Sequence, residues 1–109
     1  MSTIKNYING NHIGISNNNL PVFDPSTGEE ISKVILSDKE DFNEAINSSK
    51  KIFNEWSNTT PLKRSRVISK YKELIEKNLD DLATTVSKEH GKTLDDAKGS
   101  VTRGLEVVE

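Results

Sequence analysis

Near Ser37 the apolar residues change their spacing, from short extended runs broken by turn residues to a helical period that continues to the last residue. That switch predicts an extended, sheet-forming region over residues 1–36 and a helical region over 37–109. In the first region Tyr7-Ile8 and His12-Ile13 flank Asn9-Gly10-Asn11, which predicts a small hairpin because Asn and Gly tolerate positive φ. Asn17-Asn18-Asn19 reads as a polar loop. Val22-Phe23 reads as extended, since Pro25 disfavours helix at Asp24, and Asp24-Pro25-Ser26-Thr27-Gly28 reads as a turn. The stretch Ile31 to Leu36, apolar at Ile31, Val34 and Ile35, predicts a further strand.

Four helices follow. Ser37-Asp38-Lys39-Glu40 has the form of a capping box, with the serine capping the first turn and the glutamate reaching back. Phe42, Ala45, Ile46, Ser49 and Phe53 then share a face, and Trp56 is expected to follow that helix and pack beneath it. Thr60-Pro61 opens a second helix, with Val67, Ile68, Tyr71, Leu74 and Ile75 as its buried stripe and Glu73 and Lys77 spaced for an ion pair. A break near Asn78 leads to a third helix through Leu79, Leu82, Ala83 and Val86, ended by Gly91 in a left-handed conformation. Thr93 caps the fourth, with Asp95 and Asp96 in its first turn and Ala97, Val101, Leu105 and Val108 along its apolar side. The helical pattern is still running at Val107-Val108-Glu109, without Gly, Pro or a cap, and is read as truncation. Only 32% of residues are apolar and 29% are charged, enough for a marginal core. A segment that docks against something larger shows the same balance.

Composition removes several classes of function. The net charge of −2 is made of interspersed acids and bases, which argues against a nucleic-acid or membrane-surface protein. No apolar run suits a membrane-spanning helix, and residues 1–10 have no apolar signal-peptide core, so a cytoplasmic chain is the expectation. The glycosylation sequons at Asn47 and Asn58 are then chance matches. Cysteine is absent, so no disulfide, thiolate zinc site or thiol nucleophile comes from these residues.

Few motifs carry chemistry. Gly91-Lys92-Thr93 looks like the end of a phosphate-binding loop, but Val86 stands where that motif needs its first glycine, so a helix cap followed by the next N-cap is preferred. His90 reads as a helix C-terminal histidine and His12 as a hairpin residue; two separated histidines without cysteine predict no metal site. Lys63, Arg64, Arg66, Lys70 and Lys72 read as a solvated helix face. Arg103 is the candidate ligand-binding residue. It lies beside Gly104, and a glycine within a helix costs roughly 1 kcal/mol relative to alanine. Close approach of another element or of a ligand would account for that glycine, and the planar guanidinium beside it suits a carboxylate. An ordinary surface or ion-pair arginine is the alternative.

Tyr7-Ile8-Asn9-Gly10 and Val22-Phe23-Asp24-Pro25-Ser26-Thr27-Gly28-Glu29 together resemble the opening of aldehyde dehydrogenases, with Asp24 in place of the usual turn asparagine. Phe53-Asn54-Glu55-Trp56-Ser57 followed by Pro61 and Arg64 fits the same family. Glu89 to Gly99 and Arg103-Gly104-Leu105-Glu106-Val107-Val108-Glu109 resemble its CoA-acylating methylmalonate-semialdehyde dehydrogenase branch. The resemblance implies an α/β aldehyde dehydrogenase fold, in which residues 1–109 form the N-terminal part of the NAD-binding domain, peripheral to its Rossmann-like sheet. The catalytic and oligomerisation domains are then absent. It implies NAD and coenzyme A as co-substrates of the full-length enzyme, a malonate or methylmalonate semialdehyde as substrate, a role in valine catabolism, and homo-oligomerisation. Arg103 corresponds to an arginine that helps bind the substrate carboxylate. No catalytic, cofactor-binding or metal-binding residue maps onto this chain, whose partner is the rest of the same polypeptide, and alone it is expected to be inactive and to bind no cofactor. Two other readings compete: a non-acylating aldehyde dehydrogenase segment, and a free-standing helical interaction module.

Overall fold

A computed structural model describes residues 2–109. Among the described residues five short strands precede four helices, in keeping with the change of period at Ser37: β1 (Thr3–Ile4), β2 (Asn6–Ile8), β3 (Asn11–Ile13), β4 (Asn19–Phe23), β5 (Glu30–Ile35), α1 (Lys39–Asn58), α2 (Pro61–Lys77), α3 (Leu79–His90) and α4 (Leu94–Val108). They form two compact units. One holds the strands and α1; the other holds the Asp24–Thr27 turn and α2 to α4.

In the first unit β2 and β3 pair antiparallel with Tyr7 opposite His12. Asn9 at φ 49 and Gly10 at φ 76 form the two-residue turn, the positive dihedrals that the Asn-Gly pair predicts. The rings of Tyr7 and His12 lie 5.2 Å apart across the ladder. A second sheet has the order β1-β5-β4, with β1 parallel and β4 antiparallel to β5. Pro21 lies in β4, an edge strand, where a missing N–H costs least. Asn19 belongs to β4 rather than to the predicted polar loop, because it pairs with Ile35. The two-residue β1 is too short to have a period of its own and becomes a strand only through β5.

The first helix begins one residue later than its predicted box. Asp38, not Ser37, is the cap: its Oδ1 accepts from Glu40 N at 2.9 Å and Asp41 N at 3.2 Å. Asp41, not Glu40, reaches back, its Oδ2 accepting from Asp38 N at 3.2 Å. The shift has a tertiary reason. Asp41 is only 2% exposed and also accepts from Ile15 N at 2.8 Å, Ser16 N at 3.1 Å and Asn6 Nδ2 at 3.4 Å. Ser37 donates instead to Asn6 Oδ1 at 2.9 Å. Hydrogen bonding by Ile15 N holds the Asp41 carboxyl below its ordinary pKa; burial opposes this, and the Asp38 and Ser16 amides reinforce it. Trp56 lies within α1 and is 41% exposed, so it neither follows the helix nor packs beneath it.

In the second unit α4 packs on α3 and on α2. Ala83 and Ala97 are fully buried, and Val101, Leu105 and Val108 are half-buried along the predicted side of α4. Lys98 Nζ lies 2.8 Å from Asp80 Oδ1, and that hydrogen bond raises the lysine pKa. The predicted stripe on α2 is not buried: Val67, Ile68, Tyr71 and Leu74 are exposed and Ile75 is half-buried. Glu73 pairs with Lys70 at 2.9 Å instead of with Lys77. The amphipathic pattern is real, but its apolar side faces outward, as do Phe42 and Phe53 on α1. Ala83 and Ala97 are the buried apolar side chains of the described residues. Large apolar surface left open in this way marks an interaction face.

Candidate functional site

At the end of α3, the connection to α4 and the first turns of α4, two cationic side chains without a carboxylate partner among the described residues gather around one hydroxyl. Gly91 ends α3 at φ 79, and its N–H donates to Ser87 O at 2.8 Å, the predicted left-handed cap. The Asp24–Thr27 turn approaches it so closely that a Cβ on Gly91 would stand 2.7 Å from Pro25 Cγ. The turn itself is set by Asp24, whose Oδ1 accepts from Ser26 N at 2.8 Å. An asparagine oxygen can do the same, so aspartate at this position changes little.

Beyond Gly91, Ser87 Oγ donates to Lys92 O at 2.7 Å and fixes the lysine backbone. Thr93 caps α4 as predicted, its hydroxyl accepting from Asp96 N at 3.2 Å. Lys92 Nζ then reaches the hydroxyl of Ser100 at 2.8 Å. Arg103 folds back along α4 toward its N-terminus, the direction helix side chains favour, and Nη2 donates to the same hydroxyl at 3.1 Å. Ser100 Oγ in turn donates to Asp96 O at 3.2 Å. A Cβ on Gly99 would lie 3.6 Å from Arg103 Nη1, so the guanidinium rests over that turn in ordinary contact. Arg103 is exposed and Lys92 half-buried, and among the described residues no carboxylate pairs with either.

Arg103, the one substrate-binding candidate, thus sits at the surface with its guanidinium held and its charge uncompensated. Gly104 differs from expectation within this chain: nothing lies within 4 Å of a Cβ placed there, and it lines an open apolar groove with Tyr71, Val86 and Val101. Ser100 was not singled out from sequence, and Lys92 entered only through the rejected Gly91-Lys92-Thr93 loop and the family pattern, not as a partner of Arg103. Ser100 had a visible signal, its i,i+3 spacing to Arg103. Lys92 had none, because its reach depends on how the Gly91–Thr93 connection turns.

The remaining motifs are structural. The amide of Gly91 and the carbonyl of Lys92 are committed to the end of α3, so Gly91-Lys92-Thr93 does not offer a phosphate cradle. Among the described residues no strand feeds a glycine-rich turn of the dinucleotide-binding kind. No group of three or more metal-ligating side chains occurs among them, and His90 is exposed at the end of α3. In the basic stretch, Lys72 pairs with Glu109 at 3.1 Å, and Lys70 with Glu73. Lys72 is half-buried, whereas the Lys70–Glu73 pair is exposed on both sides and adds little stability. No helix of the described residues is long and apolar enough to cross a membrane.

Comparison with solved structures places this arrangement in a dehydrogenase fold. The chain superposes with a TM-score of 0.94 on a protein assigned as a methylmalonate-semialdehyde dehydrogenase from Sinorhizobium meliloti, complexed with NAD, at 39% identity over 97% of this chain and 22% of that one. The aldehyde dehydrogenase family model matches residues 13–109, and the chain belongs to the aldehyde dehydrogenase family. It is 42% identical to a malonate-semialdehyde dehydrogenase of Pseudomonas aeruginosa, over all of this chain and 22% of that protein. It is 43% identical to an acylating, mitochondrial methylmalonate-semialdehyde dehydrogenase of Arabidopsis thaliana, over 97% of this chain and 18% of that one. The chain spans about a fifth of the length of the curated relatives it matches.

Proposed function

We propose that this chain is the N-terminal part of the NAD-binding domain of a malonate- or methylmalonate-semialdehyde dehydrogenase, and that Arg103 contributes the positive charge that receives the substrate carboxylate. The supporting observation is the guanidinium of Arg103, exposed, free of any carboxylate partner among the described residues, and held by Ser100. A planar fork of donors suits a carboxylate better than a point charge does. The reaction proposed for the full-length enzyme converts the semialdehyde, NAD and coenzyme A to acetyl-CoA or propionyl-CoA, carbon dioxide and NADH. Coenzyme A is included because some relatives, the Arabidopsis protein among them, are named acylating. Residues 1–109 hold no cysteine, so the thiol chemistry of acyl transfer lies outside them, and the isolated chain is expected to be inactive.

The test is a full-length chain carrying this segment, assayed for NADH formation with malonate semialdehyde and with propionaldehyde, with and without coenzyme A. Arg103→Ala should lower kcat/KM for malonate semialdehyde by roughly ten- to a hundredfold, the worth of a hydrogen bond to a charged group. Its effect on propionaldehyde should be much smaller. Equal losses on both aldehydes would remove the carboxylate role. Rates independent of coenzyme A would point to a non-acylating dehydrogenase.

A further inference from the structure

The side-chain cluster on the first turns of α4 is more than an arginine with a neighbour. Ser100 Oγ accepts from two cationic donors, Lys92 Nζ at 2.8 Å and Arg103 Nη2 at 3.1 Å, and donates its own hydrogen bond to Asp96 O at 3.2 Å. A hydroxyl has one proton and two lone pairs, so all of its hydrogen-bonding capacity is used and its rotation is arrested. The two positive groups it gathers lie within about 6 Å of each other, where like charges repel. Neither has a carboxylate partner among the described residues to offset that repulsion. A long, flexible arginine on an exposed helix face would otherwise spread over many rotamers. Here it is bent back over Gly99 and tied down beside a second cation whose backbone is itself held by Ser87.

We infer that Ser100 is a positioning residue for substrate recognition: its hydroxyl aligns the Arg103 guanidinium and draws the Lys92 ammonium beside it, so that a carboxylate meets two positive groups already in place. The inference rests on the carboxylate role proposed for Arg103. Preorganisation of this kind strengthens binding by removing the ordering cost from the encounter. The ligand class is a short aldehyde acid, whose single carboxylate is the group the two cationic donors would receive.

The experiment uses the full-length chain and steady-state kinetics on malonate semialdehyde and propionaldehyde, with Arg103→Ala as the reference. Ser100→Ala should raise KM for malonate semialdehyde about tenfold more than KM for propionaldehyde, with kcat on the semialdehyde changing less than twofold. Ser100→Thr, which keeps a hydroxyl, should restore most of the loss. Lys92→Gln should weaken semialdehyde binding in the same sense, and its effect should not add fully to that of Ser100→Ala, because both act through one hydroxyl. If Arg103→Ala shows the selective loss and Ser100→Ala does not, the positioning role is wrong while the carboxylate role stands. If Ser100→Thr is as impaired as Ser100→Ala, the effect is not that of the hydroxyl and the inference fails. If Arg103→Ala itself shows no selectivity, both fall together.

Discussion

Replacing Gly91 with alanine tests the contact that joins two sequence segments 66 positions apart. Gly91 stands at φ 79 and Gly10 at φ 76, so an alanine at either pays the same dihedral cost, about 1–2 kcal/mol. Part of that cost is offset by about 0.4–1 kcal/mol through the stiffer unfolded chain. The two sites differ in their surroundings. Nothing lies within 4 Å of a Cβ on Gly10, whereas a Cβ on Gly91 meets Pro25 Cγ at 2.7 Å and Pro25 Cβ at 3.4 Å. A proline ring has no rotamer into which to retreat, so the turn or the end of α3 must move, an overpacking cost of about 1–3 kcal/mol. Gly91→Ala should therefore be more damaging than Gly10→Ala by that amount. Amide hydrogen exchange reads it locally, without requiring the whole chain to unfold in one step. Protection of the amides in the last turn of α3 should fall roughly 5–150-fold further than protection of the hairpin amides falls in Gly10→Ala. Adding Pro25→Ala should recover most of the difference, since it removes Cγ. Equal losses in the two single variants would refute the close packing of Pro25 on Gly91 and, with it, the anchored position of Lys92.

Other expectations follow from the same structure. Asp41→Asn keeps the shape but turns an acceptor into a partial donor facing the amides of Ile15, Ser16 and Asp38, so exchange at Ile15 and Ser16 should accelerate strongly. Because the folded pKa of Asp41 is depressed, its stabilisation is complete above the ordinary carboxylate range and is lost as pH falls through the lowered value; protection at Ile15 that declined on raising the pH toward neutrality would contradict this, once the intrinsic exchange rate is divided out. Ala97→Leu forces three extra carbons into a fully buried position and should cost about 1–3 kcal/mol of protection in α4, against near silence for Thr102→Leu on the exposed side. The isolated 109-residue chain, with Tyr71, Leu74, Phe42 and Phe53 open to water, should associate with itself at micromolar concentration and melt broadly; a sharp transition from a monomer in sedimentation would count against docking faces.

Much was legible in the sequence because it depends on near neighbours. The Asn9-Gly10 turn, the Thr60 and Thr93 caps, the left-handed Gly91, the inner side of α4 and the order of strands before helices follow from dihedral preferences and periodicity within a few residues. Family membership was legible too, since the motifs at Val22–Glu29 and Glu89–Glu109 survive as linear patterns. What tertiary structure decided were the choices between locally equal options. Ser37 and Asp38 are both good caps, and Asp38 wins because Asp41, three residues on, finds the amides of Ile15 and Ser16. The apolar stripe of α2 is plain in sequence, but its periodicity says that a face is apolar and not what covers it; here it is open. For the candidate site, Arg103 could be picked out by residue type and by family pattern. Its partner Lys92 could not, because a lysine eleven positions away meets the same hydroxyl only after Gly91, packed under Pro25, has turned the chain from α3 into α4.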